Sequence, residues 1–157
     1  EIGSYEDGFF NLEVFGKADR VVYLAAYLYH YRRDGSSSVT SGYNPRLYDQ
    51  WQTLYDRMEA IIRSNQLGSE YEAALNNRIA LGILGLGLNI TVSTQPMGKK
   101  VKNIRRIIRQ ERYRKAYKNL PLNYFPIHWK LFYGCAKHGF AFGVYVLLTV
   151  IQRIISR

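Results

Sequence analysis

The chain has 157 residues, 47% of them hydrophobic, with 22 Lys and Arg against 12 Asp and Glu. That length carries one domain with a real core, and the apolar fraction excludes a largely disordered chain. The net charge of +10 calls for an anionic partner: nucleic acid, a lipid headgroup surface or a phosphorylated substrate.

The first predicted element is a short helix over residues 6–18, opened by Glu6 and Asp7. Phe9, Phe10, Leu12, Val14 and Phe15 supply its apolar residues, and Gly16 marks its end. "RVVYLA" (20–25) and "YLYHYR" (27–32) have the Val and Tyr content of two strands, read as a short β-hairpin. A loop of turn formers and hydroxyls follows. The next helix starts with Asn44 as N-cap and Pro45 in the first helical position. Its Leu47, Trp51, Leu54, Tyr55, Met58, Ile61 and Ile62 fall three and four apart, on one face. Ser69 and Glu72 have the spacing of a capping box and start a further helix. From Ile79 that helix is apolar all round, and Gly82, Gly85 and Gly87 permit close approach by another element.

Beyond Pro96, the stretch "GKKVKNIRRIIRQERYRKAYKNL" reads as one basic amphipathic helix. Val101, Ile104, Ile107 and Ile108 share one side. Lys102, Arg105, Arg106, Arg109 and Arg112 share the other and form a candidate contact for a membrane or other anion. Pro121 and Pro126 frame a linker to a helical tail. The tail's uncharged run from Gly139 to Ile151 has 13 residues, where spanning a bilayer takes about 20. It suits a core or interfacial segment. The single cysteine, Cys135, cannot form an internal disulfide and fits a reducing compartment. His128, His138 and Cys135 lack the spacing of a metal-ligand set.

The order of the N-terminal features carries a resemblance. Glu6-Asp7, Phe10-Asn11, Val21 to Tyr23, Leu28-Tyr29, Tyr31-Arg32 and Ser36 to Ser38 follow one another at suitable spacing. Over roughly the first 45 residues this run resembles the second half of the catalytic domain in family 2 glycosyltransferases of the GT-A fold. The resemblance implies a mainly α chain with a short β-hairpin: residues 1–44 as the C-terminal remnant of an α/β GT-A domain, residues 45–157 as a helical extension. It implies transfer of a sugar from a nucleotide-diphosphate donor to a glycan or lipid-linked acceptor. Asp7 matches the general base of an inverting mechanism, with Glu6 beside it. Arg32 and Ser38 match residues facing the donor diphosphate. The resemblance also implies a divalent metal, Mg or Mn, held by a DxD motif. No Asp-x-Asp occurs in this chain. The chain is therefore expected to be an inactive fragment of its parent enzyme, in keeping with a first residue other than Met and no visible signal peptide.

Such an enzyme is expected in the cytoplasm, peripheral to the membrane. The basic helix and aromatic tail suit an anionic bilayer surface, and an unpaired sheet edge would favour a homo-oligomer. A non-catalytic basic module on membrane or nucleic acid is the alternative. Nucleic acid is the weaker partner, because it explains neither the Glu6-Asp7 pair nor the segment after it.

Overall fold

A computed structural model describes residues 6–28 and 42–155. Among these residues the chain is helical: α1 (Glu6–Lys17), α2 (Leu47–Ser64), α3 (Ser69–Leu81), α4 (Ile83–Val92), α5 (Met97–Ile108), α6 (Glu111–Asn119), a 3₁₀ turn (Leu122–Tyr124), α7 (Ile127–Lys137) and α8 (Ala141–Ile155).

The expected β-hairpin is a correction, and with it the α/β remnant: no strand or sheet occurs among the described residues. Residues 20–25 are irregular, and residues 29–32 of the second expected strand lie outside the described residues. Val and Tyr give a segment the composition of a strand, but a strand is held by a ladder to a neighbour, and none adjoins this one among the described residues. Val21, Val22, Tyr23, Leu24, Tyr27 and Leu28 are consequently exposed, Tyr27 to 98%.

The periodic segments behave as their spacing requires. In α2, Leu47, Leu54, Tyr55, Met58 and Ile62 are buried along one face. The helix begins two residues later than the Asn44 cap implies. Its N-cap is Arg46, with no side-chain cap, and Asn44 Oδ1 instead accepts the Arg46 N–H at 2.9 Å in the turn before the helix. The Asn44 N–H also donates to Asn89 Oδ1 at 2.7 Å, and Asn89 Nδ2 donates back to the Asn44 carbonyl at 2.8 Å. This two-way pair ties the entry of α2 to α4. The expected capping box is absent: Gly68, in extended conformation, is the N-cap of α3, and no side chain caps it.

α3 and α4 follow one another as a rod jointed at Gly82. At the joint, the Gly82 N–H is shared between the carbonyls of Arg78 and Ile79 at 3.0 and 3.1 Å, and the ladder resumes with Leu86. The stretch Ser69–Val92 has the length and hydropathy to cross a membrane. Here its α3 half packs on α2 and α6, and its α4 half packs on α5 and α8. Ala80, Ile83 and Leu86 are its most buried residues. α8 then closes the far side against α4, α5 and α7, through Ala141, Val144 and Leu148. Phe125, Trp129, Phe132 and Tyr133 make a ring cluster under α7, with centroids 5.0–6.0 Å apart. The C-terminus of α4 is capped from α5, where Lys100 Nζ donates to the Thr91 carbonyl at 2.8 Å.

The rod's glycines are sites of close approach. A Cβ on Gly82 would stand 2.5 Å from the Tyr55 hydroxyl, and one on Gly85 would stand 2.8 Å from the Trp51 ring. Leu148 crosses Gly87 in the same way. By contrast, a Cβ on Gly134, inside α7, meets nothing within 4 Å. The same Gly→Ala change should therefore have opposite signs at two helical positions. Gly134→Ala should stabilise by up to about 1 kcal/mol through helix propensity. Gly82→Ala should destabilise by about 1–3 kcal/mol through overpacking against the buried Tyr55. Urea denaturation midpoints of the two variants check the signs.

Candidate functional site

Glu6 and Asp7 are the first two residues of α1. This helix lies on α2 and contributes Gly8, Asn11, Leu12 and Phe15 to a cleft of about 360 Å³. Met58 and Ile62 of α2, and Tyr71, Ala74, Leu75 and Arg78 of α3, form its other walls. The seam of α1 is Gly8, Leu12 and Gly16, four residues apart, whereas Phe10, Val14 and Phe15 are exposed. Of the apolar residues that the sequence offers for this helix, Leu12 lies in the seam, where the two glycines let α1 settle close to α2 and α3.

Gly8 also admits a charge. The Nη2 of Arg78 lies 3.0 Å from the place of a Gly8 Cβ. A guanidinium thus rests against the helix turn that carries Asp7. Sequence reasoning missed Arg78. Its one signal was isolation, since no other Lys or Arg occurs between Arg63 and Lys99. Arg78 and Ala74 also line a second cleft of about 540 Å³, with Trp51, Leu54, Tyr55 and Leu81. The two clefts share a wall and make a groove along α2 and α3. Arg32, Ser38 and residues 33–41 of the expected donor loop lie outside the described residues.

The basic segment is two helices rather than one. α5 stops at Ile108, and Gln110, with extended backbone, is the N-cap of α6. The Tyr48 hydroxyl donates to its side chain from α2. Lys102, Arg105 and Arg106 are exposed on α5, opposite buried Ile104, Ile107 and Ile108, and Arg109 is exposed just after it. Arg112 does not share that face, because α6 runs on a new axis. Its Nη1 donates to Gln52 Oε1 at 3.0 Å. Its Nη2 pairs with Asp56 and lies 3.6 Å from Glu59 Oε2. Glu59 is also bridged by Arg63 at 2.5 Å. Arg112 is therefore a tie between α6 and α2, not a free cation for a membrane. The adjoining cleft, about 370 Å³, balances Glu59, Glu72 and Glu111 with Arg63, Arg112 and Lys115. Among the described residues, no group of three His, Cys, Asp or Glu is arranged to hold a metal ion.

Comparison of the chain with protein-family models, curated proteins and solved structures finds no match.

Behind Arg112, α6 buries Tyr113 and Tyr117, and α7 buries Tyr133. Loss of water around the phenolate pushes Tyr113 up to about 12, although Gln52 Nε2 donates to its oxygen at 3.3 Å. Burial likewise pushes Tyr133 up to about 12 and Tyr117 well above the usual tyrosine range. These groups hold their protons more tightly folded than unfolded. The stability they contribute is present below about pH 10 and falls as pH rises towards 12, since only the unfolded chain releases protons in that window. Unfolding should therefore be triggered between about pH 10 and pH 12, with buried tyrosines ionising together with loss of helix. Phenylalanine at Tyr113 should move that transition to higher pH. Tyrosinate absorbance and circular dichroism recorded on one sample check both outcomes.

Proposed function

We propose that this chain serves a glycosyltransferase that moves a sugar from a nucleotide-diphosphate donor to a glycan or lipid-linked acceptor with inversion. The observation that carries the reading is the ordered run from Glu6-Asp7 to Ser36–Ser38. Asp7 is the general base. It takes the proton of the acceptor hydroxyl as that oxygen attacks the anomeric carbon and the nucleoside diphosphate departs. Glu6 orients the acceptor, and Arg32 and Ser38 hold the donor diphosphate. Contacts to the donor's nucleoside and to the divalent metal belong to a nucleotide-binding part separate from these residues, since no Asp-x-Asp occurs here. Arg78 supports the reading by bringing positive charge to the turn of Asp7, which suits a site that receives an anionic donor. The exposed Phe10, Val14, Phe15 and Val21 to Leu28 form an apolar surface that suits contact with a further part of the enzyme. In the intact enzyme, Asp7→Asn should lower transfer by at least about a hundredfold with donor binding retained, because an amide accepts no proton at neutral pH. Near-normal turnover in a radiolabelled-sugar assay would remove Asp7 from the mechanism.

A second reading, membrane association, rests on α8 and α5. Phe142, Val146, Val150 and Ile154 recur every fourth residue on α8 and remain exposed. α5 exposes Lys102, Arg105 and Arg106. Apolar side chains and a cationic face are the two parts of an interfacial anchor, whether or not the protein is catalytic. The protein should sediment with anionic vesicles more than with neutral ones. Joint Lys102→Glu, Arg105→Glu and Arg106→Glu substitution should remove most of the salt-sensitive part of that binding, as each cation contributes about 1 kcal/mol. Equal partitioning of variant and parent, or salt-sensitive binding to DNA with none to vesicles, would reject the membrane.

A further inference from the structure

Charge is unevenly placed along the chain. Residues 1–72 hold 11 of the 12 acids and 7 Lys and Arg, whereas residues 73–157 hold 15 Lys and Arg and one acid, Glu111. Glu111 lines the cleft beside α2 and α3, together with Arg112 and Lys115. The remainder of α5 to α8 therefore has no carboxylate of its own.

Within that region a concave pocket of about 480 Å³ gathers cations from three elements. Arg109 comes from the end of α5, Arg114 from α6 and Lys137 from the end of α7, with His138 next to it in the lining. Ile108 and Gly139 complete the lining, and no acid is part of it. Gly139 has φ +73°, a turn conformation that favours glycine. The Nε of Arg109 lies 4.0 Å from where a Cβ would stand on it, so the side chain passes beside the bare turn. Among the described residues, the side chains of Arg109, Arg114 and Lys137 make no ion pair. The C-termini of α5 and α7 lie beside them and supply roughly half a negative charge each. Three unit charges against those two ends leave about two positive charges, close to the charge that a phosphomonoester brings.

We infer that this pocket binds a phosphate-type oxyanion, with Arg109 and Arg114 as forked donors and Lys137 as a point charge. The inference does not rest on the transferase reading, as the pocket shares no residue with the clefts beside α1. The phosphate belongs either to a lipid headgroup or to a soluble phosphorylated compound.

Pyrophosphate, titrated at constant ionic strength, is the probe, with the thermal midpoint as readout. A saturable rise is expected. Joint Arg109→Gln and Arg114→Gln substitution should weaken it at least about tenfold, since each removes charge-assisted hydrogen bonds. The Lys102, Arg105 and Arg106 reversal should leave it within about a factor of two, because a pocket, unlike a diffuse field, depends on its own donors. Should the double variant lack native circular dichroism, Arg114→Lys takes its place. It keeps the charge, loses the fork, and should bind with intermediate affinity. A response without saturation, or one equally reduced by the α5 reversal, overturns the site, as does full affinity in the pocket variants. Vesicles of phosphatidylcholine with phosphatidic acid then identify the source. Release of vesicles by both pyrophosphate and the pocket variant supports a headgroup. Unchanged vesicle binding alongside lost pyrophosphate binding supports a soluble phosphate.

Discussion

The rod formed by α3 and α4 is held by contacts that only glycine allows. Gly82 and Gly85 let Tyr55 and Trp51 of α2 press against its backbone, and Gly87 lets Leu148 of α8 do so from the other side. An added Cβ at any of the three would push these elements apart. Glycine costs a helix about 1 kcal/mol relative to alanine, and here close packing of aromatic and leucine side chains offsets that cost. The remaining architecture follows from this constraint. α2 fixes the seat of α1, α6 lies on the α3 half, α5 and α8 pack on the α4 half, and α7 packs on α6 and α8.

The division of the basic segment has a comparable reach. A continuous helix from residue 98 to 120 would set Lys102, Arg105, Arg106, Arg109 and Arg112 on one face. The extended backbone at Gln110 starts α6 on a new axis and separates the cations by role. Those of α5 face solvent, Arg112 is bound to the acids of α2, and Arg114 turns with Arg109 to the pocket beside Gly139. α6 thus carries balanced charge on one flank and unbalanced charge on the other.

What was legible in the sequence depended on how local each feature is. The stripe of α2, the apolar side of α5 and the use of the rod's glycines follow from spacing and side-chain size, and the structure has them. The strand at residues 20–25 did not form, since its stability depends on a neighbouring strand that composition cannot supply. The break after Ile108 involves no proline or glycine, so periodicity ran straight through it. Arg78 was invisible because its place against Gly8 joins positions 70 residues apart. For the transferase residues, the sequence offers an ordered motif, and the described structure adds that Glu6 and Asp7 begin a helix seated on α2.

The separation of charge along the chain is partly reversed in space. The rod's 24 residues extend at most about 36 Å, at 1.5 Å per residue. α6 lies on the α3 half and sets Arg112 and Lys115 beside Glu59 and Glu72, whereas α5 and α8 pack on the α4 half. Excess positive charge is left on α5 and around the Gly139 turn. Charge placed off centre in this way feels a torque as well as an attraction in an external field.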